Sequence, residues 1–158
     1  MEGYDVGMVC MNGHAVNSMA ATAPQHNEKF CSKCGAAAIQ ECPQCHERIR
    51  GYYHYENVFG GSWYVPAHCH ACGKPYPWTQ GKAEALGEMI EELDGLSDEE
   101  REKLKVSIPD IIADTPKSET AALRFKKAVA KVGQAGGKML MDVITNVATE
   151  AVKKAMGL

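Results

Sequence analysis

A small metal-bound β region, built as tandem zinc ribbons and followed by an α-helical region, is the fold class this sequence predicts. Three observations carry it. All seven cysteines lie between Cys10 and Cys72, most of them in Cys-x-x-Cys pairs. The chain changes composition near residue 79, after which Cys, His, Trp and Tyr are absent and Ala, Glu and Lys take over. Apolar residues beyond that point recur at helical spacing. The expected division is a double zinc-ribbon domain over residues 1–79 and a helical region of about four helices over residues 80–158.

The ribbon half rests on ligand arithmetic. Cys10 with His14, Cys31 with Cys34, Cys42 with Cys45, and Cys69 with Cys72 make four pairs and eight ligands. Zn(II) takes four N or S ligands in a tetrahedron, so eight ligands fill two zinc ions and leave no cysteine over. An odd cysteine count at such short spacing, with no basic stretch ahead of an apolar one at the N-terminus, argues against a secreted disulfide framework. The alternative of three redox dithiols lacks the strand and helix a thioredoxin-like site needs. The cytoplasm is the expected compartment.

Local residues suit metal knuckles, which turn backbone amides toward the sulfurs. Gly35 and Gly73 follow their cysteine pairs and Gly13 precedes His14, each able to take the left-handed conformation cheaply. Pro43 fixes the turn within Cys42–Cys45. Two pairings of the ligands are open. Sequential pairing joins the first pair to the second and the third to the fourth; a cross-brace joins first to third and second to fourth. The segment "GAAAIQE" between Cys34 and Cys42 reads as a short return strand, which favours the sequential arrangement.

The segments "KFCSKCGAAAIQECPQC" and "HCHACGKPYPWT" resemble bacterial double zinc-ribbon proteins. Over most of its length the chain is similar to one small bacterial family of that type, a domain of unknown function with a helical C-terminal tail. The matching residues are Cys10, Asn12, Gly13, His14, Cys31, Cys34, Cys42, Cys45, Cys69 and Cys72. The resemblance implies zinc ribbons and assigns no activity.

Residues 82–93 place Leu86, Met89, Ile90 and Leu93 on one face. Ser97 with Glu100 is a capping box that opens a helix to about Lys105, and Pro109 and Pro116 are expected to break the pattern. A third helix runs from Ser118 or Glu119 to Val132, with Leu123, Val129 and Val132 apolar; Gly133, Gly136 and Gly137 are expected to end it. A fourth spans about Lys138 to Met156, with Leu140, Val143, Ile144, Val147 and Ala151 in its stripe. Residues 81–114 hold four basic and eleven acidic residues, whereas residues 115–158 hold eight basic and three acidic. Those opposite charges favour internal pairing of the acidic stretch with the basic third helix.

Catalytic zinc keeps a position open for water, yet each expected site closes at four ligands. The motifs H-E-x-x-H, G-x-S-x-G and the deaminase H-x-E with P-C-x-x-C are absent. No enzyme is expected. His70 is an alternative ligand beside Cys69; His46, His54 and His68 read as surface or hairpin polar residues, and His26 as a solvated residue of a polar loop. The insert "ERIRGYYHYENVFGGSWYVPAHC" holds a candidate binding surface: Arg48, Arg50, Tyr53, Tyr55 and Trp63, with Phe59 and Tyr64 beside them. Basic residues mixed with aromatics can stack single-stranded nucleic acid, but the same rings can simply cover a ribbon too small to own a core. Gly60 and Gly61 read as a hairpin turn. Arg124, Lys126 and Lys127 form a second basic candidate, and the last helix reads as an ordinary packing stripe, with an oligomer face or a membrane-surface helix as the alternatives. No apolar run reaches the roughly 18–20 residues of a membrane span. A non-catalytic zinc-binding adaptor or regulator with a protein partner is the expected role, with nucleic-acid binding the alternative and an enzyme third.

Overall fold

The computed structural model describes residues 2–58 and 60–158, so Phe59 lies outside the described residues. The chain divides into two compact units, Met1–Gly81 and Lys82–Leu158.

The first unit is made of short strands. Strands β1 (Gly3–Val6) and β5 (Arg50–His54) form an antiparallel pair with Tyr4 opposite Tyr53. Strands β2 (Met8–Cys10), β3 (Ala15–Asn17) and β4 (Ala38–Ile39) form a second antiparallel sheet in the order β3-β2-β4. The return strand expected within "GAAAIQE" is β4, and it pairs with β2 through Val9 opposite Ile39. Among the described residues, the hairpin expected around Gly60 is not formed. Among the described residues, 55–67 contain no strand, and Asn57 and Gly60 take positive φ values of 60° and 89°, which break extended backbone. The N-terminal β1 supplies the partner for β5 instead. Val9, Cys42, Ile49, Cys69, Tyr76 and Trp78 make a small core, with Trp63 and Val65 packed on it. A second cluster holds Val6, Met8 and Ala20. Two of the six residues of the first are cysteines of the candidate sites, so apolar burial gives this unit much less than the helical unit has.

The second unit is helical and has a larger core. Helix α1 (Pro77–Glu92) starts earlier than its apolar spacing suggested, within the last residues of the first unit, and continues into the second; Pro77 is at its first position, where the missing N–H costs nothing. Helix α2 (Asp98–Ile112) opens on the capping box: Ser97 Oγ accepts from Glu100 N and Glu100 Oε2 accepts from Ser97 N at 2.8 Å. Pro109 does not end α2; it sits inside the helix, which continues because Ile108 and Ile111 on either side are buried.

Helix α3 (Ser118–Lys131) buries Ala121, Ala122, Phe125 and Ala128. Leu123, read as an apolar-face residue, is 58% exposed, because the buried stripe is set by Phe125 and the alanines. Helix α4 (Gly133–Val147) begins at Gly133 and runs through Gly136 and Gly137, the glycines expected to lie between helices. Gly137 is buried, and a Cβ there would lie 2.9 Å from the Val129 carbonyl oxygen, so close packing against α3 uses its missing side chain.

The expected single last helix is two. Ala148 is extended, and Thr149 caps α5 (Glu150–Met156) by accepting from Val152 N. This break moves the buried register to Val152 and Met156 and leaves Ala151 exposed. Five helices therefore stand where about four were read. Fifteen buried residues, from Leu86 to Met156, form one cluster. Full burial of side chains such as Phe125 and Ile144 contributes about 1.5–3 kcal/mol each. Lys131 of the basic helix pairs with Glu100 of the acidic stretch at 2.5 Å, as the charge pattern suggested.

Candidate metal centres

The three Cys-x-x-Cys segments share one turn. In each, the residue after the second cysteine donates its N–H back to the first cysteine's carbonyl: Gly35 to Cys31, His46 to Cys42 and Gly73 to Cys69, at 2.8–2.9 Å. Each first cysteine in turn donates its N–H to the carbonyl five residues on, at Ala36, Glu47 and Lys74. An isolated bridge closes each turn, Phe30 with Ala37, Glu41 with Arg48 and His68 with Pro75. The residue after the second cysteine takes a positive φ in all three, 73° at Gly35, 61° at His46 and 71° at Gly73. The sequence showed this at the two glycines and hid it at His46.

The Cys10–His14 segment is a variant of the same turn. Gly13 N donates to Cys10 O and Cys10 N donates to His14 O, so the loop is one residue tighter. The second ligand stands one residue later, and His14 presents Nδ1 to Cys10 and Cys31. Gly13 has φ 86°, and a Cβ there would meet Trp78 Cβ at 2.8 Å. Both the backbone and the ring above it require glycine.

These turns bring eight side chains into two groups: Cys10, His14, Cys31 and Cys34, then Cys42, Cys45, Cys69 and Cys72. Within each group the ligand atoms all lie within 4.8 Å of one another. The structure thus brings the first two pairs together and the last two pairs together, the sequential arrangement. His70 belongs to neither group. Cys10 Sγ lies 3.5 Å from His14 Nδ1 and 3.7 Å from Cys34 Sγ, and Cys31 Sγ lies 3.6 Å from the same Nδ1. In the second group, Cys42 to Cys72 is 3.9 Å and Cys45 to Cys69 is 3.7 Å. All seven cysteines are free, and these separations far exceed the roughly 2.05 Å of an S–S bond. Both groups can hold a metal ion.

Neighbouring donors prepare the thiols. His14 N donates to Cys10 Sγ at 3.3 Å, and Asn12 Nδ2 donates to Cys34 Sγ at 3.4 Å. The Ala36 N–H and the Asn12 amide hold Cys34 down to about 6. Burial opposes ionisation of Cys69, but the N–H groups of Cys72 and Ala71 and the neighbouring thiols outweigh it and hold it at about 6. Glu47 N–H favours the Cys45 thiolate, yet burial and the thiols of Cys72, Cys69 and Cys42 prevail and push it up to about 12. Burial likewise raises Cys10. The physical content is mutual repulsion: thiols packed this closely cannot all ionise without a cation among them.

The segment "GKPYPWT" closes over these groups, a role its residues did not announce. Tyr76 and Trp78 stack at 4.6 Å and are almost fully buried. Trp78 Nε1 donates to Pro66 O at 2.9 Å, and Thr79 Oγ1 donates to Ala67 O at 2.8 Å. Asp5 was also missed. Its buried carboxylate accepts from Val6 N, Ala21 N, Thr22 Oγ1 and, at 3.0 Å, His54 Nε2. Burial raises its pKa, but these donors win and hold it at about 2. His54, read as a surface polar residue, is therefore tied to a buried anion.

The candidate binding residues separate. Arg50 places its guanidinium 4.6 Å from the centre of the Tyr4 ring, Tyr4 meets Tyr53 edge-on at 4.8 Å, and Tyr53 meets Tyr55 at 4.6 Å. Arg48 is exposed near the Cys42–Cys45 turn. Trp63 does not join the ring strip: it donates to Arg50 O at 3.0 Å and packs on the small core, because Gly7 leaves room for its ring.

The family pattern described as "Uncharacterized protein conserved in bacteria (DUF2321)" matches residues 3–156. The chain belongs to that family. The match covers the strand unit with both ligand groups and nearly all of the helical unit. No curated protein and no solved structure matches the chain. Among the described residues, no helix is long and apolar enough to cross a membrane.

Proposed function

We propose that the chain is a non-catalytic zinc-binding interaction module, acting as an adaptor or regulator through contacts with a protein partner. One observation carries the reading: two groups of four N/S ligands, each gathered within 4.8 Å. With Zn–S near 2.3 Å and Zn–N near 2.0–2.1 Å, a tetrahedron has S···S edges of about 3.8 Å and S···N edges of about 3.6 Å. Five ligand–ligand separations, three in the first group and two in the second, are 3.5–3.9 Å and fit those edges. Thiolate and imidazole donors suit zinc better than calcium or magnesium, which take oxygen. Zinc supplies no redox chemistry here, and four protein ligands leave no position for a reacting water. Unbridged thiols favour a reducing, cytoplasmic setting.

The strip of Tyr4, Tyr53 and Tyr55 with Arg50 is the surface this reading offers to a partner; exposed Tyr and Arg are enriched at interface centres. The same strip supports the second reading, stacking of single-stranded nucleic acid.

Elemental analysis of the reduced, purified chain should return two zinc ions, and His14→Ala should return one. Cobalt(II) substitution should give tetrahedral thiolate spectra at both sites. A five-coordinate cobalt spectrum, or one metal in the parent chain, would overturn the closed-site reading.

A further inference from the structure

A cavity of about 300 Å³ opens between α2 and α3 in the helical unit. Its floor is apolar: Leu96, Leu104 and Ala128 line it, and all three are buried. Its rim is cationic, with Lys103, Arg124, Lys127 and Lys131 against the single carboxylate of Glu100. Glu100 is already engaged at both oxygens, by Lys131 on Oε1 and by Ser97 N on Oε2. Lys103 is matched by Glu99 at 2.6 Å. Positive charge remains on Lys127 and Arg124. Arg124 Nη1 donates to the buried Ser107 hydroxyl at 2.7 Å, which holds the guanidinium in place while its other N–H groups keep their donor capacity.

We infer that this cavity in the helical unit binds a small carboxylate with an apolar body, a medium-chain fatty acid or a molecule of that chemistry. The volume falls at the lower end of the range for small-ligand pockets. The floor takes the apolar body out of water, and the fixed guanidinium with Lys127 beside it meets the carboxylate through charge-assisted hydrogen bonds. A neutral ligand of the same shape would leave those cations unmatched. A long polyanion gains little here, since the compensated lysines flank the opening.

The test is a titration of sodium octanoate into the metal-loaded, ¹⁵N-labelled full chain, with 1-octanol as the neutral control. Octanoate should saturate and shift the amides of Leu104, Arg124 and Ala128 selectively, and octanol should bind more weakly. Lys127→Glu, checked for an unchanged fold by its amide spectrum, should weaken octanoate binding roughly tenfold by turning an attraction into a repulsion. Equal binding of octanol, shifts elsewhere in the chain, or an affinity unchanged in Lys127→Glu would overturn the inference. So would co-sedimentation with phosphatidylglycerol vesicles that Lys127→Glu abolishes while free octanoate fails to bind, which would assign the rim to a membrane surface.

Discussion

His46 occupies the backbone position that Gly35 and Gly73 fill in the other two turns. A left-handed conformation costs an L-residue about 1–2 kcal/mol. Glycine there brings back about 0.5–1 kcal/mol through its freer unfolded chain. The balance favours His46→Gly by about 0.5–1 kcal/mol. Denaturant unfolding of the metal-loaded protein should show a higher midpoint at unchanged slope. A lower midpoint would mean that the His46 ring makes contacts worth more than the strain. Nothing in "CPQCHERI" marked this position, because the turn geometry becomes visible only when three copies of it are compared. Asp5 was equally hidden: a single acidic residue in "GYDVG" carries no motif, and its donors come from residue 6, residues 21–22 and residue 54, far apart in the chain.

At the scale of elements, legibility tracked how local the cause was. The ligand pairs, the capping box and the start of α3 were readable because each depends on residues within one turn of one another. The partner of β5 was not, since an extended run carries no record of whether it pairs with its neighbour in sequence or with the N-terminus. Pro109 was misread for the same reason: the rule that proline breaks a helix is local, while burial of Ile108 and Ile111 is tertiary and prevails. The helix still forgoes one backbone hydrogen bond there. Pro109 is exposed, so its removal empties no core space. Pro109→Ala restores the missing donor and relieves the ring clash, set against the proline's restriction of the unfolded chain, and should stabilise the helical unit by about 1–2 kcal/mol. A thermal scan followed by far-ultraviolet circular dichroism reads this directly. A fall in midpoint would show that a bend at Pro109 is needed to seat Ile111.

At the scale of the whole molecule, the two units are held by different forces. The helical unit has fifteen buried residues in one cluster and no cysteine. The strand unit has two small clusters, one of six residues and one of Val6, Met8 and Ala20, and in the larger Cys42 and Cys69 count twice, once as apolar filling and once as candidate ligands. Structural zinc in comparable small folds supplies about 10–16 kcal/mol of apparent folding free energy. Removing metal should therefore open the first unit and spare the second. The reporters separate cleanly, because both tryptophans, Trp63 and Trp78, lie in the strand unit while most helical residues lie in the other. A strong zinc chelator under reducing conditions should shift tryptophan emission to the red as the Trp78–Tyr76 stack comes apart. The helical dichroism should fall only by the first turn of α1, whose Trp78 and Thr79 side chains are anchored to Pro66 and Ala67. A parallel collapse of both signals would mean that the helical core cannot stand alone and that metal binding governs the folding of the entire chain.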